Sequence, residues 1–253
     1  MTNTVHYPLI IFTASVFTLW LSGRLGRLMI RKRRQLDEEL RSDFVVILGA
    51  ALTLLALIIG FSFSMSAARY DLRKNREATE ANAIGTGYVR TTLLPAADAD
   101  KTRTLLKRYL DQRIAFYHNS DSRELQQIDL RTAQLETELW SAMLAPAEAG
   151  PTPVMALAVS GMNDVFNARA FSQAGYWNRI PVAAWALMAM IAIGCNGLVG
   201  YGSRSITASS LLMHVLPVLI SIAFMFISDI DTPRHGMIRV EPQNLISLAD
   251  FLR

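Results

Sequence analysis

Residues 44–68 run for 25 positions without a charged side chain, and arginines crowd both ends. A helix rises about 1.5 Å per residue, and the hydrocarbon core of a bilayer takes about 20 apolar residues to cross. The stretch therefore reads as a membrane-spanning helix, and the chain as an integral membrane protein. Composition agrees once it is read locally. Only 18% of the 253 residues are charged, against about 25% in soluble proteins, and the deficit is concentrated in a few long runs.

Three further spans are expected. The first covers 8 to about 30, with Arg24 and Arg27 placed to snorkel to headgroups. The third starts after Pro181, which suits a first helical turn because its missing N–H costs nothing there, and ends near Tyr201. The fourth runs from about 206 to Ser228, with Pro217 expected to kink it. A tight turn from Tyr201 to Ser205 makes the last two an antiparallel hairpin.

Between spans two and three the chain turns polar but stays helical. Residues 69–94 read as an outward continuation of span two. Leu105, Leu106, Tyr109, Leu110, Ile114 and Tyr117 place an apolar stripe on 98–118. Leu125, Ile128, Leu135, Leu139 and Met143 do so on 121–144. Pro146, Gly150, Pro151 and Pro153 suggest a linker, and 154–177 a last helix with Met155, Met162, Val165 and Phe166 inward. The expected fold is all-α. Residues 1–68 form two spans joined by a basic loop at 31–43. Residues 69–178 form an inserted extramembrane helical domain, 179–228 the second pair of spans, and 229–253 a tail that packs on the helical domain.

The net charge of +4 would suggest nucleic acid in a soluble protein. Here the basic residues cluster beside spans, where they orient helices and meet anionic lipid, so the bilayer is the expected partner and nucleic acid is not. The single cysteine, Cys195, allows no intrachain disulfide or paired-thiol site. Residues 1–7 lack the basic start of a cleavable signal peptide. Lysines and arginines near the spans number eight on each side by this topology. Weighting the first helix slightly favours a cytoplasmic basic loop, with the central domain outside.

Catalytic signatures are missing: no phosphate-binding loop, zinc-protease helix, nucleophile elbow or dinucleotide fingerprint occurs. His6, His118, His214 and His235 share no metal spacing. No enzyme activity, cofactor or metal is expected. His214 lies inside span four, either as a functional group or as a neutral imidazole bonded to a neighbouring carbonyl. Asn196 reads as interhelical glue or a pore-lining amide. Gly194, Gly197 and Gly200 beside it favour close helix approach.

Span two is the candidate conduit. On a helix Thr53, Leu57, Phe61 and Ser64 share one face, a hydrophobic constriction of the kind that gates by dewetting. Ser62, Ser66 and Arg69 share the opposite face, and periodicity does not choose between them. Arg69, Arg73, Lys74 and Arg76 follow. In a symmetric oligomer they would ring a pore mouth with positive charge and favour anions; in a lone chain they would anchor to headgroups. At the end of span four, Asp229, Asp231, Pro233 and Gly236 form a compact motif, read as a turn or ion-pair device or as a weak cation site.

Gly60-Phe-Ser-Phe-Ser-Met-Ser-Ala-Ala-Arg69-Tyr-Asp-Leu-Arg73, then Glu80-Ala-Asn-Ala-Ile-Gly-Thr-Gly-Tyr88 and Leu93-Leu-Pro95, resembles a bacterial family of four-span proteins called bestrophin-like. Asp229-Ile-Asp-Thr-Pro-Arg-His-Gly236 with Ile238-Arg-Val240 is similar to that family's ending. More distantly the chain resembles bestrophin anion channels. That resemblance implies a homo-oligomer, a pentamer, in a bacterial inner membrane as a multi-pass protein. It also implies small anions as cargo, a neck at Phe61 with Leu57 and Thr53 beyond it, and the central domain in the cytosol, opposite to the charge rule. Two departures stand out: Tyr70-Asp71 replaces the paired tryptophans of bestrophins, and no calcium-binding acidic cluster is present. The alternative function is a non-conducting scaffold or sensor whose helical domain binds a partner.

Overall fold

The computed structural model describes residues 6–31, 38–202 and 208–253. Much of the basic loop (32–37) and the core of the turn after Tyr201 (203–205, with Arg204) lie outside these residues, as do residues 1–5. Among the described residues the chain is helical without strands. The helices are α1 (His6–Arg31), α2 (Glu38–Arg90), α3 (Ala96–His118), α4 (Ser122–Ala149), α5 (Pro153–Trp177), α6 (Val182–Gly202), α7 (Ala208–Asp231) and α8 (Gln243–Leu252). Four stretches are long and apolar enough to cross a membrane: Tyr7–Met29, part of Arg41–Leu93, part of Pro153–Gly202, and Met213–Asp231. Non-helical backbone at 178–181 breaks the third stretch, and α6 is its charge-free part. The protein is an all-α integral membrane protein with four membrane-spanning helices.

Two compact units divide the chain, one from residues 1–68 and 179–238, the other from 69–178 and 239–253. In the first, α1 packs on α6 and α7. Leu19, Leu55, Met188, Ala192, Cys195, Ile220 and Phe224 form its core. The closest approach is made by glycines. A Cβ on Gly200 would overlap the backbone of Gly23, and one on Gly26 would overlap the Gly197 carbonyl. Ser22 Oγ donates to the Ile193 carbonyl at 2.7 Å across the same seam. Gly197 and Gly200 therefore do what their spacing suggests. Gly194 faces open space and takes no part.

In the second unit α3 and α4 pair, α5 packs on α4, and α8 packs on α3. The apolar stripes read from sequence line the core: Leu105, Leu106, Tyr109, Leu110, Tyr117, Ile128, Leu135, Leu139, Met143, Met155, Met162 and Val165 are buried, with Ile114, Leu125 and Phe166 partly so. The linker expected to begin at Pro146 is shorter than its composition suggests. α4 continues through Pro146 to Ala149. The proline forfeits one helical hydrogen bond near the helix end, but it is buried, and its carbonyl still accepts from Gly150 N at 3.2 Å. The true break is at 150–152, where Thr152 caps α5 by accepting from Met155 N at 3.1 Å. α7 likewise runs through Pro217 as one helix.

Candidate functional site

The candidate conduit face lies on the outer side of α2. Leu57 is 53% exposed and Phe61 64%, and Thr53 and Ser64 are exposed with them. The opposite side carries Leu55, Ser62 and Ser66, all buried. Helix geometry explains the split, since 53, 57, 61 and 64 fall within one turn's arc and 55, 62 and 66 half a turn away. Thr53 Oγ1 donates back to the Gly49 carbonyl at 2.9 Å, so its hydroxyl proton is engaged and its lone pairs face outward. The face thus offers two large apolar side chains between two hydroxyls. Ser62 and Ser66 occupy the inward alternative.

The four basic residues after the span do not share one environment. Lys74 is exposed and Arg69 partly so, but Arg73 is only 2% exposed. Arg76 donates to the Phe171 carbonyl at 2.7 Å. Gly175 makes room for both Arg73 and Arg76, because a Cβ there would lie 3.1 Å from Arg76 Nη1 and 3.3 Å from Arg73 Cγ. Two of the four are therefore committed to packing inside the second unit.

The tail motif is a built turn. Asp229 is buried at the end of α7, and its carboxylate accepts from the backbone N–H groups of Met237 at 2.6 Å and Ile238 at 2.9 Å. Both oxygens of buried Asp231 accept from Ile180 N at 3.0 Å, tying the start of the third span to the end of the fourth. Pro233 and Gly236 are buried in the same turn. Gly236 has no room for a Cβ, which would overlap the Asp229 carbonyl. Both carboxylates thus tie backbone N–H groups into the turn. Among the described residues no group of three His, Cys, Asp or Glu side chains comes together. Asp229→Ala should deprive two partly buried N–H donors of their acceptor and cost roughly 1–3 kcal/mol. An unchanged denaturation midpoint in detergent would remove that role.

Asn196 is buried and donates to the Ala192 carbonyl of its own helix at 2.8 Å. The bond across helices comes from Ser22, which the sequence reading passed over. His214 is exposed on α7.

Sequence reasoning also missed a buried polar cluster in the second unit. Glu80 and Arg113 pair with neither side chain exposed. Arg113 Nη2 also reaches Glu80 Oε2 at 3.4 Å and donates to Ser172 Oγ at 3.1 Å. Tyr117 donates its hydroxyl to Glu80 Oε2 at 3.1 Å, and the Phe116 ring lies under the guanidinium at 4.4 Å. Burial opposes the charge on Arg113, but Glu80 outweighs it and holds the guanidinium protonated. Burial, reinforced by Glu80, pushes the Tyr117 phenol well up, so it stays a neutral donor. Nearby, Arg169 Nη1 meets Glu136 at 2.5 Å and its Nη2 lies 3.8 Å from Asp129. Burial raises Glu136 despite Arg169. Glu77, also buried, accepts from Leu245 N at 2.9 Å and Asn244 Nδ2 at 2.6 Å, a carboxylate set on the N-terminus of α8. The available signal was spacing: Arg113 sits inside the apolar stripe of α3, and Arg73, Glu77 and Glu80 fall on one face of α2. These groups bond to one another, and the arrangement is that of a structural network.

A family model described as a bestrophin-like domain matches residues 8–245. No curated protein matches. Crystal structures of a bacterial bestrophin homologue from Klebsiella pneumoniae share the fold. One variant form gives a TM-score of 0.66 at 13% identity, covering 97% of this chain and 95% of that one. A form phased on zinc gives 0.66 at 12%, covering 96% and 98%. A further variant gives 0.65 at 12%, covering 93% and 98%.

Proposed function

The chain belongs to the bestrophin-like family, and on that premise we propose that identical copies assemble around an axis and pass small anions along the outer face of α2. The observation that carries this reading is the uncovered Thr53–Leu57–Phe61–Ser64 face of a span whose other side is buried. An apolar ring flanked by hydroxyls is a constriction that wets and dewets. Exposed Lys74 and partly exposed Arg69 follow on the same helix and would supply the positive mouth, while Arg73 and Arg76 pack within the second unit. The family resemblance supports a pentamer in a bacterial inner membrane, with residues 69–178 outside the bilayer. Purified protein in liposomes should dissipate a chloride gradient, and Phe61→Ala should raise the flux severalfold by widening the ring. Flux no greater than that of empty vesicles, across several lipid mixtures, overturns the reading.

The second reading is a non-conducting scaffold or sensor. One observation favours it: within the second unit a groove of about 650 Å³ lies between α2 and α8, lined by Val89, Leu248 and Phe251 among others. Phe251 is 83% exposed. Proteins of this kind would show no flux and an assembled oligomer without an axial opening.

A further inference from the structure

The glycine seam between α1 and α6 has a counterpart toward the N-termini of the same two helices. There the facing side chains are again short, but they do not meet. Ala14 and Ser15 on α1 and Ala186 and Ala189 on α6 line a cavity of about 390 Å³. Its aromatic residues are Trp185 and Phe224, in edge contact with ring centroids 6.0 Å apart. The size lies within the range of small-molecule pockets, about 300–1,000 Å³. Among the described residues no charged side chain lines it, and the side-chain polar groups are the Ser15 and Thr18 hydroxyls and the Trp185 indole N–H. Such a lining accepts a chain of methylenes and rejects an ion or a polar metabolite.

The surroundings select among apolar occupants. Both helices cross the bilayer, so what reaches this groove must already be dissolved in hydrocarbon. Val182, at the first turn of α6, is part of the lining. Arg179, three residues earlier, is exposed, a free-standing cation where the span leaves the apolar region. An apolar slot whose lining starts three residues after an exposed arginine matches a molecule that is a methylene chain at one end and an anion at the other.

We infer that the α1–α6 groove holds an acyl chain of an anionic phospholipid whose phosphate is met by Arg179. The site is separate from the conduit face of α2 and does not depend on conduction. The probe is phosphatidylglycerol brominated in its acyl chains, titrated into detergent-solubilised full-length protein in which Trp20, Trp140 and Trp177 are replaced by Phe. Trp185 fluorescence should be quenched saturably at low lipid-to-protein ratio. Ala186→Leu, which fills the groove, should abolish the saturable phase. Arg179→Gln should shift it about fivefold weaker, the worth of one basic residue at an anionic surface, and it leaves the groove intact should the filling variant fold poorly. Quenching that only tracks the bulk brominated fraction overturns the assignment. So does a change of oligomer mass on filling, which would place a second copy in the groove, and so does an Arg179→Gln titration identical to that of the parent protein.

Discussion

Glu80→Ala lowers the stability of the second unit by roughly 3–5 kcal/mol, the cost of leaving a buried charge without its partner. Arg113 has no escape to solvent, since its side chain is fully buried and its Nη1 already lacks a hydrogen-bond partner. Removing Glu80 would leave the guanidinium with Ser172 and the Phe116 face alone, and would deprive the Tyr117 hydroxyl of its acceptor. Arg113→Met is milder, because the orphaned Glu80 keeps the Tyr117 hydroxyl as a donor. The double change, Glu80→Leu with Arg113→Met, returns close to the parent, because an apolar pair of similar volume incurs no desolvation cost. Chemical denaturation of the three variants in detergent measures this directly. Single variants no worse than the double would mean that water already reaches the pair. The pair locks α2 to α3 and, through Ser172, to α5. Within the second unit the same residues thus fix the C-terminal half of α2 against its neighbours.

The spans and the apolar stripes were legible because each rests on one rule applied over many residues. Length without charge identifies a membrane helix, and spacing of Leu105, Tyr109 and Leu110 identifies a buried face, whatever the partner. The end of α4 was misplaced because Pro146 obeys a tertiary rule, burial, against its local one. The Glu80–Arg113 pair was invisible for a related reason. Polar residues on a helix read as solvated by default, and only the packing of α2, α3 and α5 together turns three such positions inward. The burial of Arg73 and the bond of Arg76 are not legible in sequence, which does not say which arginines find a glycine, here Gly175, to lie against. The turn at Asp229 was partly legible: two carboxylates ahead of Pro233 and Gly236 imply a tight reversal, but not that Asp231 reaches back to Ile180.

The seam between α1 and α6 sets up the other large effect. Helices in a bilayer gain little from burying apolar surface against each other, since lipid is equally apolar, and depend on close packing and on bonds such as that of Ser22. Gly23, Gly26, Gly197 and Gly200 allow backbones to touch, and a side chain at Gly200 has only the Gly23 backbone to displace. Alanine normally gains about 1 kcal/mol over glycine in a helix. At Gly194, which faces open space, Gly194→Ala should therefore be neutral or stabilising within one chain. At Gly200 the sign reverses: overpacking costs about 1–3 kcal/mol for small additions, so Gly200→Ala should be clearly destabilising. Gly200→Leu should force the helices apart, break the Ser22 bond and eliminate a monodisperse species on size exclusion. Comparison of the two positions separates the seam from helix propensity. If Gly200→Leu purifies as the parent does, with unchanged thermal stability, the glycines do not set the approach of the two spans.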